Sequence, residues 1–317
     1  MPKNKLLIIF SLLAVIVILG AALCFSKIFI FYYPKEQTAN STPMPKKGSE
    51  ISVSTTPFII NDKDANINDF NKYSGDKSCD RTYNVYSAQE LSINNQVGNI
   101  TLYEDEVKDL TLTTSISAKA SSQEEVDHLI ENVMISAEVD NGIFKIRVLS
   151  EKDKTDYWNW KTSTYPLSQV DIEFDVIVPK KFTSFDINDS TGDIKLSDIS
   201  GKLKVYNLTG DINVINANLV GDNIIDVKTG NITAKTDIST AKALSINTMT
   251  GNINLTVLKD RGISIDASLM TGNIGEKYKG GFTVDENLPG MKSVSKVYNG
   301  GGTNVTLKTM TGDISVD

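Results

Sequence analysis

A short signature, Thr-Gly-Asp/Asn-Ile, recurs along the chain and constrains its fold more than any other feature. It stands at Thr191-Gly192-Asp193-Ile194, Thr209-Gly210-Asp211-Ile212, Thr229-Gly230-Asn231-Ile232, Thr250-Gly251-Asn252-Ile253, Thr271-Gly272-Asn273-Ile274 and Thr311-Gly312-Asp313-Ile314. An earlier copy, Val97-Gly98-Asn99-Ile100, has Val in place of Thr. From Gly192 the glycines follow at spacings of 18, 20, 21, 21 and 40 residues. The last spacing reads as two periods with a degenerate copy between them, around Gly281 to Gly290. Seven of the chain's 21 glycines sit in this context, which composition alone would not produce. A period near 20 residues belongs to stacked architectures, in which each repeat buries its apolar face against the next.

Every repeat has the same internal order. Alternating apolar residues precede the corner, as in Leu203-Lys204-Val205, Leu244-Ser245-Ile246, Ile263-Ser264-Ile265 and Val305-Thr306-Leu307. A second alternating run starts at the Ile, as in Ile194-Lys195-Leu196, Ile212-Asn213-Val214, Ile253-Asn254-Leu255 and Ile314-Ser315-Val316. Period-two alternation sends one set of side chains inward and the other outward. The glycines Gly98, Gly192, Gly210, Gly230, Gly251, Gly272 and Gly312 read as structural corner residues. A tight corner demands φ > 0, and the neighbouring Asp or Asn can hydrogen-bond local backbone. The pattern predicts an all-β solenoid or two-sheet roll of about 18–21 residues per rung, with strands of successive rungs about 4.8 Å apart. Met249, Met270 and Met310 each precede a corner Thr and are expected to form an internal ladder filling the corner, not a metal site. The chain ends at Asp317 on a strand without an evident cap, and that edge is expected to be open to another copy.

Nothing in the sequence selects catalytic chemistry. The single histidine, His128, has no second His or Cys in support and is expected to be solvated. Cys24 and Cys79 are too few for a disulfide scaffold. Three Asp and four Asn at the corners favour turn chemistry over calcium binding. Arg81, Arg147 and Arg261 are the only arginines, and no nucleophile elbow, P-loop or dinucleotide fingerprint occurs. No enzyme activity, cofactor or metal is therefore expected. Net charge is −7, and the only charges in the first 33 residues are Lys3, Lys5 and Lys27, which leaves −10 on the remainder. That balance excludes nucleic acid as the main partner, because phosphate binding needs a basic face.

Leu6 to Ser26 carries no charge over 21 residues, enough helix for about 31 Å and hence for a bilayer's hydrocarbon core. Lys3 and Lys5 place the N-terminus in the cytoplasm and the rest outside, and the aromatics after Lys27 suit a membrane interface. A cleaved signal peptide is the rival reading, but Leu23-Cys24-Phe25 after Ala21-Ala22 is a poor cleavage context. The expected organisation is a cytoplasmic N-terminus at 1–5 and an uncleaved signal anchor at 6–33, the chain's single span of the cell membrane. A Pro/Ser/Thr-rich stalk follows at 34–58, then an N-terminal β region at 59–180 and the repeat region at 181–317, the two β regions forming one body.

Short strands run from Asn84 onward. One helix is expected over 121–133, with a capping box at Ser121/Glu124 or Ser122/Glu125 and an apolar stripe of Val126, Leu129, Ile130 and Val133. Asp140-Asn141-Gly142 marks a hairpin turn. Val170 to Val178 is the clearest strand. Tyr157, Trp158, Trp160 and Tyr165 gather both tryptophans in one short stretch. They read either as a plug in the core or over a sheet edge, or as an aromatic platform for sugar rings or a partner.

A strand ending at Val178-Pro179, followed by Ser190-Thr191-Gly192-Asp193-Ile194 and its later copies, resembles the bacterial "putative adhesin" β-strand-repeat family of unknown function, to which LiaG-like envelope proteins belong. The resemblance covers roughly residues 85 to 317. It implies a right-handed β-helix-like fold outside the cytoplasmic membrane and supplies no catalytic residue. Anchor, stalk and acidic repeat body together point to a binding or scaffold protein of the cell envelope, its partner a cell-wall polymer or an envelope protein, with adhesion or envelope stress as settings. Homo-oligomeric assembly through the C-terminal strand edge is the alternative, and an enzyme acting on wall polysaccharide is the least favoured reading.

Overall fold

The computed structural model describes residues 71–276, 285–288 and 290–317. The expected membrane anchor, the stalk and residues 281–284 and 289 of the degenerate copy lie outside the described residues. No helix among the described residues is long and apolar enough to cross a membrane.

The repeat corners join two sheets into one roll. Strands leading into the corners are β2 (Glu90–Asn94), β8 (Ser184–Asn188), β10 (Ser200–Thr209), the later halves of β11 (Ile212–Thr229) and β12 (Ile232–Thr250), β18 (Thr303–Lys308) and β14 (Ile263–Leu269). They pair in that order, in parallel. Strands leaving the corners are β3 (Ile100–Asp105), β9 (Ile194–Ser197), the earlier halves of β11 and β12, β13 (Ile253–Lys259), β19 (Ile314–Val316) and β15 (Ile274–Glu276). They form a second parallel ladder. The ladders run unbroken across residue 180. The signature isoleucines Ile100, Ile194, Ile212, Ile232, Ile253, Ile314 and Ile274 make one buried column, each worth roughly 1.5–3 kcal/mol of apolar burial.

The rungs do not stack in chain order. After the Gly272 corner, β16 (Asp285–Leu288) and β17 (Met291–Tyr298) form an antiparallel pair, and β17 runs back antiparallel to β14. The last rung, β18 and β19, then inserts between the Gly251 and Gly272 rungs. The 40-residue spacing therefore holds a hairpin and not a degenerate rung lying in line. The expectation of an open C-terminal edge is also corrected, since β19 is hydrogen-bonded on both sides. Insertion gives the final strands two parallel neighbours, and β17 covers the flank of β14 that would otherwise be exposed.

Every corner glycine has positive φ, and two show why no side chain fits. A Cβ on Gly230 or Gly251 would lie 2.0 Å from the carbonyl oxygen of Gly210 or Gly230, the glycine one rung earlier. The residue after each glycine links the rungs a second time. Asp193 donates its N–H to Asn99 Oδ1 at 2.9 Å, Asp211 to Asp193 at 2.8 Å, Asn231 to Asp211 at 2.7 Å, and Asn252 to Asn231 at 2.9 Å. Asp313 donates to Asn252 at 2.7 Å and Asn273 to Asp313 at 2.8 Å. These oxygens serve the backbone, which gives the corner Asp/Asn column a structural role. At the end of the column Lys292 Nζ donates to the Gly272 carbonyl at 2.8 Å, standing in for a further rung.

Three residues before the glycine, a polar side chain is buried in several rungs. Asn207 Nδ2 donates to the Gly192 carbonyl at 2.7 Å, Thr248 Oγ1 to Gly230 at 3.1 Å, and Thr309 Oγ1 to Gly251 at 3.1 Å. Asp189 occupies the same register against Gly98, one rung earlier. Met249, Met310 and Met270, one residue further along, point out of the roll, with Met249 37% and Met270 38% exposed. The expected internal methionine ladder is thus corrected: inward and outward alternate, and the inward place is taken by the residue before each Met, namely Thr248, Thr309 and Leu269.

Two helices are described where one was expected. Helix α1 (Gln123–Glu131) begins at Ser122, whose hydroxyl accepts from the Glu125 N–H at 3.2 Å, while Glu125 Oε2 reaches back to the Ser121 N–H at 3.1 Å. Val126 and Leu129 are buried. Helix α2 (Tyr157–Thr164) starts at Asp156, which accepts from the Asn159 N–H at 2.8 Å. Its only large apolar side chains, Tyr157, Trp158 and Trp160, fall in the first four residues and make no sustained stripe, so the cap is its main signal in the sequence. Strands β5 (Val133–Asp140) and β6 (Ile143–Ser150) form the expected hairpin, with Asn141 and Gly142 both at positive φ.

Candidate functional site

Before the first corner the roll is extended by three non-repeat strands. β7 (Gln169–Pro179) pairs in parallel with β3, β4 (Leu110–Ala120) pairs antiparallel with β7, and β1 (Tyr73–Tyr83) pairs antiparallel with β4. Inward alternates Ile116, Ala118, Val170 and Ile172 are buried. The outward alternates form polar rows across the strands: Asp76 opposite Ser117 opposite Asp171, and Ser78 opposite Ser115 opposite Glu173. These rows border an open cleft of about 980 Å³, whose other lining includes Gln96, Val97, Trp158, Lys161, Thr162 and Ser168.

The polar groups of the cleft are partly desolvated. Burial and the nearby Glu173 raise the Asp171 carboxyl above the usual carboxylate range. Glu173 Oε1 accepts from Asn99 Nδ2 at 2.8 Å, tying the cleft to the first member of the corner column. Burial lowers the Lys161 ammonium, which donates to the Ser168 carbonyl. Trp158 is 5% exposed, and its buried indole N–H meets no acceptor. A buried donor without a partner is costly and marks a place where a ligand oxygen would be favourable. The lining offers hydroxyls, amides, three ammonium groups and three carboxylates, a set suited to hydrogen-bonding a polyhydroxylated molecule. Asp171 and Glu173 stand two residues apart on one strand, so they approach a ligand from the same wall and do not flank a bond. Among the described residues no group of three His, Cys, Asp or Glu is placed to hold a metal ion.

The four aromatic candidates do not share one open surface. Tyr157 is fully buried and donates its hydroxyl to the Leu129 carbonyl at 3.0 Å. Trp160 and Tyr165 pack partly buried against the core, and both meet His128 edge-on, at 5.5 and 5.7 Å between ring centroids. His128 Nδ1 lies 2.7 Å from the Tyr165 hydroxyl. These rings lock α2 to α1, and only Trp158 of the four lines the cleft. Sequence reasoning missed Asp76, Lys161 and Asp171. The one available signal was the run Asp171, Glu173, Asp175 on the outward face of β7, too common in strands to single out. The seven corner glycines stand together in one column, in the order 98, 192, 210, 230, 251, 312, 272.

Comparison with known proteins bears on the whole described body. Among solved structures the chain is similar to a putative cell adhesion protein from Clostridium sporogenes, at 15% identity and a TM-score of 0.35, covering 76% of this chain and 99% of that one. It is also similar to a putative adhesin from Bacteroides fragilis, at 13% identity and a TM-score of 0.32, covering 76% and 97%. A third is described as a putative lipid binding protein from Parabacteroides distasonis, at 11% identity and a TM-score of 0.26, covering 76% and 97%. No curated protein matches the chain. The family model described as Toastrack DUF4097 matches residues 32–317, nearly the whole chain, and this protein belongs to that family.

Proposed function

We propose that this protein is a membrane-anchored binding and scaffold protein of the bacterial cell envelope, and that the cleft beside the first corner takes a hydroxyl-rich cell-wall polymer. The observation that carries the reading is the cleft's lining of hydroxyl, amide and charged groups beside Trp158, whose buried indole N–H meets no acceptor. The uncharged stretch from Leu6 to Ser26, the proline-containing segment after it and the acidic balance of the remainder support an exterior body held off an anionic membrane. The protein holds the polymer without cleaving it, because its cleft carboxylates share one wall.

The test mixes full-length protein in lipid vesicles with purified cell-wall sacculi and measures bound protein and released sugar in the same tube. Binding without release is expected, and Trp158→Phe, which keeps the ring and removes the donor, weakens it. Sugar release would overturn the non-enzymatic part. Absence of binding would overturn the wall-polymer part and direct crosslinking toward an envelope protein.

A further inference from the structure

We propose that Met249, Met310 and Met270 form a thioether site for a soft monovalent metal ion, copper(I) or silver(I), on the outer surface of the last three corners. The three are far apart and differently ordered in sequence, and the inserted final rung brings them side by side. Met310 donates its N–H to the Met249 carbonyl at 3.2 Å, and Met270 donates to the Met310 carbonyl at 3.3 Å. The equivalent position in the other four corners is Gln96, Ser190, Leu208 and Lys228, so the methionines are confined to one end of the column. One step past the last β14–β17 pair, Leu269 with Lys292, Met291 follows beside Met270. Four of the chain's seven methionines thus occupy one short stretch of surface.

Burial does not explain them. The core at these corners is filled by Thr248, Thr309 and Leu269, while Met249 and Met270 are more than one third exposed. Adjacent rungs lie about 4.8 Å apart. Three rotatable bonds in each methionine let sulfurs on three successive rungs converge on one ion. Thioether sulfur is neutral and soft. It selects copper(I) and its analogues over zinc, magnesium or calcium, and it releases no proton on binding. Affinity should therefore be nearly constant between pH 5 and 7.5, unlike a cysteine or histidine site. Cys79 lies on β1 and belongs to none of these rungs.

The test uses the full-length chain with Cys24→Ser and Cys79→Ser, in non-ionic detergent, titrated anaerobically with copper(I) against bicinchoninate. A single equivalent is expected to leave the chelator. Met249→Leu/Met310→Leu/Met270→Leu, which conserves side-chain volume, should weaken binding roughly tenfold or more, and Met134→Leu should leave it unchanged. Failure to withdraw copper(I), or equal affinity in the triple variant, overturns the proposal. A second readout does not depend on the variant folding. Silver(I) added to protein carrying ¹³C-methyl methionine should shift the resonances of Met249, Met270 and Met310 and spare Met134. Shifts at Met134 of equal size, or none at all, would also overturn it.

Discussion

Asp189→Asn should make the protein more stable at pH 8 and leave it nearly unchanged at pH 4. Asp189 is 6% exposed, and neither carboxylate oxygen meets a donor in hydrogen-bond geometry. Burial, reinforced by the charge of Asp171, pushes its pKa from 3.8 to about 7, and the amides of Ser190 and Thr191 offset only part of this. The register explains what the neutral form does there. Asn207, Thr248 and Thr309 each donate to a glycine carbonyl one rung away, and Asp189 holds the same position before Gly192, where a protonated carboxyl, unlike a carboxylate, has a proton to donate. Because the folded pKa is raised, the folded chain holds a proton that the unfolded chain has released between about pH 4 and 7. The group's stabilising contribution is complete below pH 4 and is lost as pH rises through 7. A shift of about three pKa units at 1.36 kcal/mol each sets an upper bound of about 4 kcal/mol. Glu104, also buried and pushed up to about 7, titrates in the same window. The wild-type slope alone is therefore ambiguous, whereas the difference between wild type and Asp189→Asn isolates one group. Urea midpoints of the full-length chain in non-ionic detergent, followed by tryptophan fluorescence from pH 4 to 8, give that difference. Parallel curves across the range would refute the reasoning.

Three further substitutions, one of them a comparison outside the corners, test the column. Gly251→Ala places a Cβ 2.0 Å from the Gly230 carbonyl oxygen at φ +147°, and should cost more than about 3 kcal/mol in thermal unfolding. Gly221→Ala, at φ +66° with open space around it, should cost only about 1–2 kcal/mol, which separates backbone strain from collision. Lys292→Ala removes the donor to the terminal Gly272 carbonyl. Amide exchange should accelerate across Ile274–Glu276 and stay unchanged at the Gly98 corner, and uniform acceleration would mean that Lys292 is not a local cap.

The corners were legible because glycine at positive φ has few substitutes, and the sheets were legible because period-two alternation leaves a direct mark. The first helix was legible from Ser122 and Glu125, which close its N-terminus as a capping box does. Rung order was not. Parallel strands of the same pattern are interchangeable neighbours, so nothing local tells the last repeat to stack on the Gly251 rung ahead of the Gly272 rung. Alternation counted one residue out of phase at the corner put the methionines inside. The buried Asn207, Thr248 and Thr309 hold that inward place, and they look like surface residues until their glycine carbonyl partners are known. The cleft was invisible for a related reason. Asp76, Ser117 and Asp171 meet only through antiparallel pairing of segments far apart in sequence, and Trp158 reaches them from a helix announced mainly by its cap.

A repeat that succeeds as a scaffold is a poor place to build a specific site. Each corner presents nearly the same groups, its carboxylates and amides occupied by the next rung, so a ligand gains little by choosing one position over another. Specific chemistry needs the translation to be broken. It is broken at one end, where β7, β4 and β1 replace rungs and α2 brings Trp158 and Lys161 to their polar face. It is broken again at the other, where the inserted last rung seats Met310 between Met249 and Met270. Both candidate sites fall at these irregular ends, and the uniform middle, from Gly192 to Gly251, acts as the spacer that holds them apart.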